Sequence, residues 1–357
     1  MKTLIIHASA GAGHRMAAQA IYDGLDHQAT LVDALDYTSP SFKVLYTKTY
    51  TYLITYCRWF WGIIFWLLDV PWLQGPIRAF RRVYNTINAN KLQKFLEKEQ
   101  FDVIISTHFM PTEVSCALKR KGTIKSKIIT VITDYDVHRI WIAKGNDMFA
   151  VGSDWTKRKI ENIGIDSFRV FATGIPTNEK FSRNYDISNL KERFELKEDV
   201  FTVLVATGSF GIGPIEAIIK ALKGFQVIVV CGHNKKLYAK LIAHKTDLVK
   251  VFGLVDNMHE LMAVSDIMVT KPGGLSISEA LVSQLPMVFF NAIPGQESNN
   301  VKVLKKHGVG VSGLDINGIV SVLQRYQSSR DTYLTALKKT RALAKPSAVK
   351  DIISLIN

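Results

Sequence analysis

Short apolar runs of strand length alternate along this chain with stretches whose apolar residues recur at helical spacing. In the first half, residues 4–8, 30–33, 102–106, 128–132, 147–151 and 168–172 predict strands, and residues 14–25 predict the first helix. The pattern pauses in a polar stretch, residues 178–199, and restarts. Residues 201–206, 226–231, 250–252, 266–270 and 287–290 predict a second set of strands with helices between them. Such alternation implies parallel sheets covered by helices on both faces. The expected fold is therefore α/β, with two doubly wound domains. One covers residues 1–177 and the other 199–338. A linker over 178–198 joins them, and a helical tail over 339–357 is expected to pack back on the first domain. Ligands of such sheets sit beyond the carboxyl ends of the strands, and the expected active site is the cleft between the domains.

Residues 42–84 interrupt the alternation. They hold Trp59, Trp61, Trp66 and Trp72, interleaved with Tyr46, Tyr50, Tyr52, Tyr56, Phe60 and Phe65. Residues 42–94 carry eight Lys or Arg, among them Arg78, Arg81 and Arg82, against one acid, Asp69. The uncharged run 59–68 has ten residues, about half of the twenty or so that a membrane-spanning helix needs. Tryptophan and tyrosine favour the water–lipid boundary, and basic side chains are drawn to anionic lipid. Two readings follow: an interfacial helix pair on an anionic bilayer, with Trp59, Trp61, Phe65, Trp66, Arg78, Arg81 and Arg82 as its contacts, or a helix packed inside the domain. Nucleic acid fits less well, because long aliphatic stretches have no use in base stacking.

Several strand ends carry candidate chemistry. Thr270-Lys-Pro-Gly-Gly-Leu-Ser-Ile-Ser-Glu279 reads as a strand, a Gly-Gly turn and a helix. Gly273 and Gly274 let a backbone approach a ligand closely. The helix that follows, with Ser276 in its first turn, offers unpaired N–H groups to a phosphate. Glu279, a turn further on, can chelate a ribose diol. Gln296 and Glu297 place an amide beside a carboxylate, suited to sugar hydroxyls. Thr207-Gly-Ser-Phe-Gly-Ile-Gly213 suits a diphosphate through Gly208, Ser209 and Gly211, with a helix starting at Gly211. Ser9-Ala-Gly-Ala-Gly-His14 closes the first strand with a tight turn at Gly11 and Gly13, but it lacks the third glycine of a dinucleotide fingerprint. His14 at a helix start is biased toward its neutral form, and is either a proton acceptor or a packing residue of the turn. Asp134, Asp136 and His138 form a hydrogen-bonded turn or, less simply, a metal site. Asp256 or Asn257 is expected to cap the helix that follows.

Composition narrows the partners. The chain has 357 residues, 47% of them hydrophobic, with a formal charge of +14, which points to an anionic partner. Cys57, Cys116 and Cys231 lie far apart, with no metal or redox spacing. The apolar run 4–6 is too short for a signal peptide.

Taken in order, these marks resemble the GT-B glycosyltransferases that build glycolipids on diacylglycerol: bacterial processive diacylglycerol glucosyltransferases and plant monogalactosyldiacylglycerol synthases, with the lipid II synthase as a relative. The marks are Gly-x-Gly-His14, Thr133-Asp134 with His138 and Trp141, Thr173-Gly-Ile-Pro176, Thr270-Lys-Pro-Gly-Gly with Glu279, and Pro294-Gly-Gln-Glu297. The resemblance implies an inverting, metal-independent transfer of hexose from UDP-glucose or UDP-galactose to diacylglycerol, by a peripheral protein at the cytoplasmic face of the cell membrane. It implies no cofactor and no nucleic acid. It assigns His14 or Asp134 as base, Gly208, Ser209 and Gly211 to the diphosphate, the Val255 backbone to uracil, Glu279 to the ribose, and Gln296 and Glu297 to the sugar. Phe210 departs from it, standing where relatives carry a polar residue. A lipid II-type N-acetylglucosaminyltransferase, a UDP-N-acetylglucosamine 2-epimerase and a non-enzymatic lipid-surface sensor are the rival expectations.

Overall fold

A computed structural model describes residues 1–357 except Ala10, Ser209, Phe210, Ile212, His244 and Asn291, and describes no side chain at Tyr50, Arg82 or Thr86. Two units emerge. The first comprises Met1–Asn178, Ile293–Asn299 and Lys345–Asn357, and the second Glu179–Ala292 and Asn300–Ala344.

Unit 1 runs β1 (Thr3–His7), α1 (Ala12–Gly24), β2 (Thr30–Asp33), α2 (Pro40–Tyr56), α3 (Arg58–Leu67), α4 (Gln74–Asn88), α5 (Asn90–Glu99), β3 (Val103–Ser106), α6 (Phe109–Lys121), β4 (Lys127–Val131), β5 (Met148–Ala150), α7 (Asp154–Asn162) and β6 (Val170–Phe171). Its strands lie in the order β2-β1-β3-β4-β5-β6, every pair parallel. Side chains alternate across a strand, and β1 divides accordingly. Leu4 and Ile6 join Phe42, Leu92, Leu96 and Ile104 on one face. Ile5 joins Ile21, Ile105 and Ile129 on the other. The strand expected over 168–172 shortens to β6 because Ser167–Arg169 forms a 3₁₀ turn.

Unit 2 runs α8 (Ile187–Arg193), β7 (Thr202–Ala206), α9 (Ile215–Ala221), β8 (Gln226–Val230), α10 (Lys235–Ile242), β9 (Val249–Phe252), α11 (Met258–Ala263), β10 (Ile267–Thr270), α12 (Gly274–Val282) and β11 (Met287–Phe289). Helices α13 (Gln296–Lys306), α14 (Ile316–Ser328), α15 (Arg330–Leu343) and α16 (Ala348–Ser354) follow. The sheet order is β11-β10-β7-β8-β9, again wholly parallel. The polar stretch 178–199 carries a 3₁₀ turn, Glu179–Ser182, as well as α8.

Helix α16 belongs to unit 1. Ile352 and Ile356 lie in the core with Ile5, Ile105 and Ile129, and Val349 meets Gly24 so closely that a Cβ there would sit 2.4 Å from its Cγ1. Deleting a fully buried isoleucine side chain typically costs about 2–5 kcal/mol. Ile352→Ala is therefore expected to lower the unfolding free energy of unit 1 by an amount in that range, read from the fall of its denaturant midpoint. A midpoint within error of wild type would mean that α16 does not contribute to this core.

Candidate functional site

The carboxyl ends of β1, β3 and β4 bring three stretches of unit 1 together. Gly11 is the N-cap of α1, with an extended backbone and no side-chain cap. A Cβ built on it meets nothing within 4 Å, so the chain's own packing does not require glycine there. Gly13 and His14 follow in the first turn. The His14 Nδ1 lies 2.8 Å from the Thr107 carbonyl oxygen and 2.9 Å from Thr133 Oγ1. A carbonyl only accepts, so Nδ1 carries the proton and Nε2 holds a lone pair. Thr107 returns a hydroxyl bond to the His14 carbonyl at 2.9 Å, which fixes both residues. Burial lowers the His14 pKa to about 4, outweighing the opposite effect of the Thr107 bond, and His7 adds to the lowering. The neutral form is the expected one, with burial as its leading cause.

Asp134 is buried beyond β4. The Gln296 amide donates to its two oxygens at 3.1 and 3.0 Å. Segment Ile293–Asn299 lies in unit 1, which is what makes this pairing local. Glu297 does not act beside Gln296. Its Oε2 accepts from Ile293 N at 2.7 Å and closes its own turn. Gly295 has φ +88°, and a Cβ on it would sit 2.6 Å from the Phe65 ring.

Asp136 and His138 diverge from Asp134. Asp136 accepts from Lys159 Nζ at 2.7 and 2.9 Å. His138 Nδ1 accepts from Ile140 N, so its Nε2–H donates to the Phe65 carbonyl at 2.8 Å. This is the hydrogen-bonded turn of the two sequence readings. Among the described residues no group of three or more His, Cys, Asp or Glu is placed to hold a metal.

Unit 2 holds the phosphate and ribose candidates. Gly208 has φ +71° and open space at its Cβ position. Ser209, and Phe210 beside it, lie outside the described residues. Gly211 is at φ +56° with its Cβ position 2.4 Å from the Cys231 carbonyl, so internal packing alone demands glycine. The helix expected at Gly211 begins instead at Ile215, after Pro214. Positive φ at Gly211 and Gly213 keeps that stretch out of a right-handed helix.

Helix α12 starts at Gly274, as expected, with Gly273 as an N-cap lacking a side-chain cap. No neighbour lies within 4 Å of a Cβ at Gly273, and Ser276 sits half-buried in the first turn. Glu279 is half-buried, and no described group donates to it. Burial pushes its carboxyl up to about 8. Val255 lies in the loop after β9, where Asn257 caps α11 without a side-chain bond to its backbone. The Asn257 amide goes to Glu260 at 2.7 Å instead.

The aromatic segment splits. Phe42, Ile54 and Val70 are buried, whereas α3 buries no residue fully. Trp59, Trp66 and Trp72 are 70%, 66% and 79% exposed, and Arg78 is exposed. Trp61 and Phe65 are half-buried, with the Phe65 ring centre 4.1 Å from that of His138. Arg81 is not a lipid contact. It pairs with Glu113 at 2.8 Å and donates to the Ile140 carbonyl at 3.2 Å. The Arg82 side chain lies outside the described residues. Among the described residues, no helix is long and apolar enough to cross a membrane.

Sequence reasoning missed His108, which is 1% exposed. Its ring centre is 4.8 Å from that of His14, at 84°. The available signal was its position, since it follows β3 as the Gly11–His14 turn follows β1.

Two family models match the chain: monogalactosyldiacylglycerol (MGDG) synthase over residues 14–177 and the glycosyltransferase family 28 C-terminal domain over residues 202–355. A processive diacylglycerol beta-glucosyltransferase of Staphylococcus haemolyticus is 32% identical over 320 residues, covering 87% of this chain and 80% of that protein. MurG of Acinetobacter baumannii aligns in structure over 100% of this chain and 99% of its own, with a TM-score of 0.61 and 13% identity. The UDP-GlcNAc 2-epimerase of Neisseria meningitidis, solved with UDP-GlcNAc, aligns over 99% of each chain at 0.62 and 13%. At such identities the two structures speak for the fold alone, which is that of the GT-B enzymes.

Burial holds His7, His108 and His138 below the ordinary histidine range as well as His14. Below an unfolded-state pKa near 6.5, the unfolded chain takes up protons that the folded chain refuses. This contribution to stability is complete above that pH and is lost as pH falls toward the folded values. The urea midpoint of the protein is expected to decline steadily from about pH 6.5 to about pH 4.5. A flat midpoint across that window would contradict the neutral assignment.

Proposed function

The chain belongs to the family of diacylglycerol glycosyltransferases, and on that premise we propose that it transfers a hexose from a UDP-sugar to the free hydroxyl of diacylglycerol, or of a glycosyl-diacylglycerol, at the cytoplasmic face of an anionic membrane. Glucose is the hexose named for the curated relative. Galactose is the one named in the family model of the first half. UDP-glucose and UDP-galactose carry an α-linked sugar and the relative is a β-transferase, so the reaction inverts the anomeric carbon.

One observation carries the lipid half of this reading. Among the described residues, fourteen of the twenty-two exposed large apolar side chains lie within residues 44–87. Exposed apolar area this concentrated marks an interaction surface, and the positive surplus of the segment suits anionic lipid. Trp59, Trp66 and Arg78 are its contacts. Unit 2 serves the donor. Gly208, Gly211 and the N-terminus of α12, at Gly273, Gly274 and Ser276, take the diphosphate. Val255 meets the uracil, and Glu279, to which no described group donates, takes the ribose hydroxyls.

In the reaction, the acceptor oxygen forms a bond to the anomeric carbon as the bond from that carbon to the diphosphate breaks. The hydroxyl proton passes to His14 Nε2, the lone-pair nitrogen. UDP leaves with added negative charge, which the positive end of α12 stabilises without calling for a metal. Asp134 orients the Gln296 amide toward the sugar, and Glu297 shapes the turn that presents it.

Incubation with diacylglycerol vesicles and each of UDP-glucose, UDP-galactose and UDP-N-acetylglucosamine, followed by mass analysis, tests the proposal. A glycolipid carrying one hexose or more is expected, in excess chelator as well as without it. No glycolipid with any donor would overturn it. His14→Ala is expected to lower kcat about 10²–10⁴-fold, the usual contribution of a positioned base, with UDP affinity unchanged. A drop of less than threefold would remove His14 as the base. Trp59→Ser with Trp66→Ser is expected to weaken vesicle binding at least tenfold while sparing turnover of detergent-dispersed diacylglycerol. Unchanged vesicle binding would assign the surface another role.

A further inference from the structure

We infer that His108 reads an ester carbonyl of the lipid acceptor and so makes the site selective for acyl over alkyl glycerolipids. The inference rests on the lipid-acceptor reading above. Its basis is the hydrogen bonding of two neighbouring rings.

His108 Nδ1 accepts the Met110 backbone N–H at 3.2 Å. An accepting Nδ1 has no proton, so the proton of this neutral ring is on Nε2. No described group accepts from that N–H, although the residue is 1% exposed. His14 has the opposite arrangement, because the Thr107 carbonyl holds its proton on Nδ1 and leaves Nε2 as an acceptor. Unit 1 therefore sets an unmatched acceptor and an unmatched donor on rings whose centres are 4.8 Å apart.

Diacylglycerol matches the pair. Its free hydroxyl donates to His14, and an ester carbonyl, a few atoms away along the glycerol, accepts from His108. The surroundings favour a neutral acceptor. Phe109 lies 4.2 Å from the His108 ring, with Trp141 and Tyr46 each at 6.5 Å. Rings of this kind cannot replace the hydration that a charged headgroup would lose, whereas an uncharged carbonyl loses little. An N–H left unmatched in such a place disfavours any acceptor without a carbonyl.

The test compares ester-linked diacylglycerol with its dialkyl ether analogue in mixed micelles at equal mole fraction. The wild-type protein is expected to prefer the ester by about tenfold to a hundredfold in kcat/KM, the range set by one N–H that loses its acceptor. His108→Asn keeps an acceptor for the Met110 N–H at the N-cap of α6 but lacks the distal donor, and the preference is expected to fall to near one. His108→Gln restores a distal N–H and is expected to recover several-fold preference. A wild-type ratio below threefold would overturn the inference, and so would an equal fall for both lipids in His108→Asn. Glycolipid formation from the ester lipid tests the underlying reaction separately. If it occurs without a preference, only the role of His108 fails.

Discussion

Parallel strand pairing is the constraint on which the rest of this structure depends. A parallel neighbour cannot be reached by a tight turn, so each strand returns through a crossover, and all strands of a sheet end at one edge. In unit 1 that edge gathers residues far apart in the chain. Ile6 pairs with Ser106 across β1 and β3, which sets the turn at His14 beside Thr107 and His108. Ile105 pairs with Ile129, which brings Thr133 and Asp134 to the same place. The hydrogen bonds among His14, Thr107 and Thr133 follow from that register. In unit 2 the ladders through β7 and β10 bring Gly208 and Gly273 to a common edge in the same way.

The same constraint makes much of the fold legible in the sequence. A strand buried on both faces must be an apolar run, and those runs stand out among polar connections. The observed strands start or stop within a residue or two of the expected positions. The glycine turns are legible as turns, but their backbone angles are not. Gly211 and Gly213 look like a helix start in sequence, and only their positive φ values move that start to Ile215. Pairings across long separations are illegible. Nothing in the sequence ties Gln296 to Asp134, 162 residues away, or shows that Glu297 is occupied by the turn it belongs to. Proton placement is equally hidden, since it depends on which backbone group each ring nitrogen meets.

The aromatic segment shows where composition stops being informative. Phe65 and Trp66 are adjacent and both apolar, yet the Phe65 ring packs on His138 and Gly295 while Trp66 faces outward. Consecutive residues of a helix point about 100° apart, so a run of aromatics must serve two environments. The packed-helix reading holds for part of residues 42–84, and other side chains of the segment stay exposed. Phe42, Ile54 and Val70 are built into the protein, whereas Trp59, Trp66 and Trp72 between and beside them are left exposed. The basic residues divide as well, with Arg81 held by Glu113 and Arg78 exposed.

The split ownership of unit 1 has a consequence for how the chain is made. Its core needs Ile352 and Ile356, which are synthesised after all of unit 2. Residues 179–344 can emerge and collapse while the core around Ile5, Ile105 and Ile129 still lacks α16. Domains generally fold as units, the N-terminal one first, as the ribosome releases them. Here unit 1 is synthesised first for the most part and yet is the last to close.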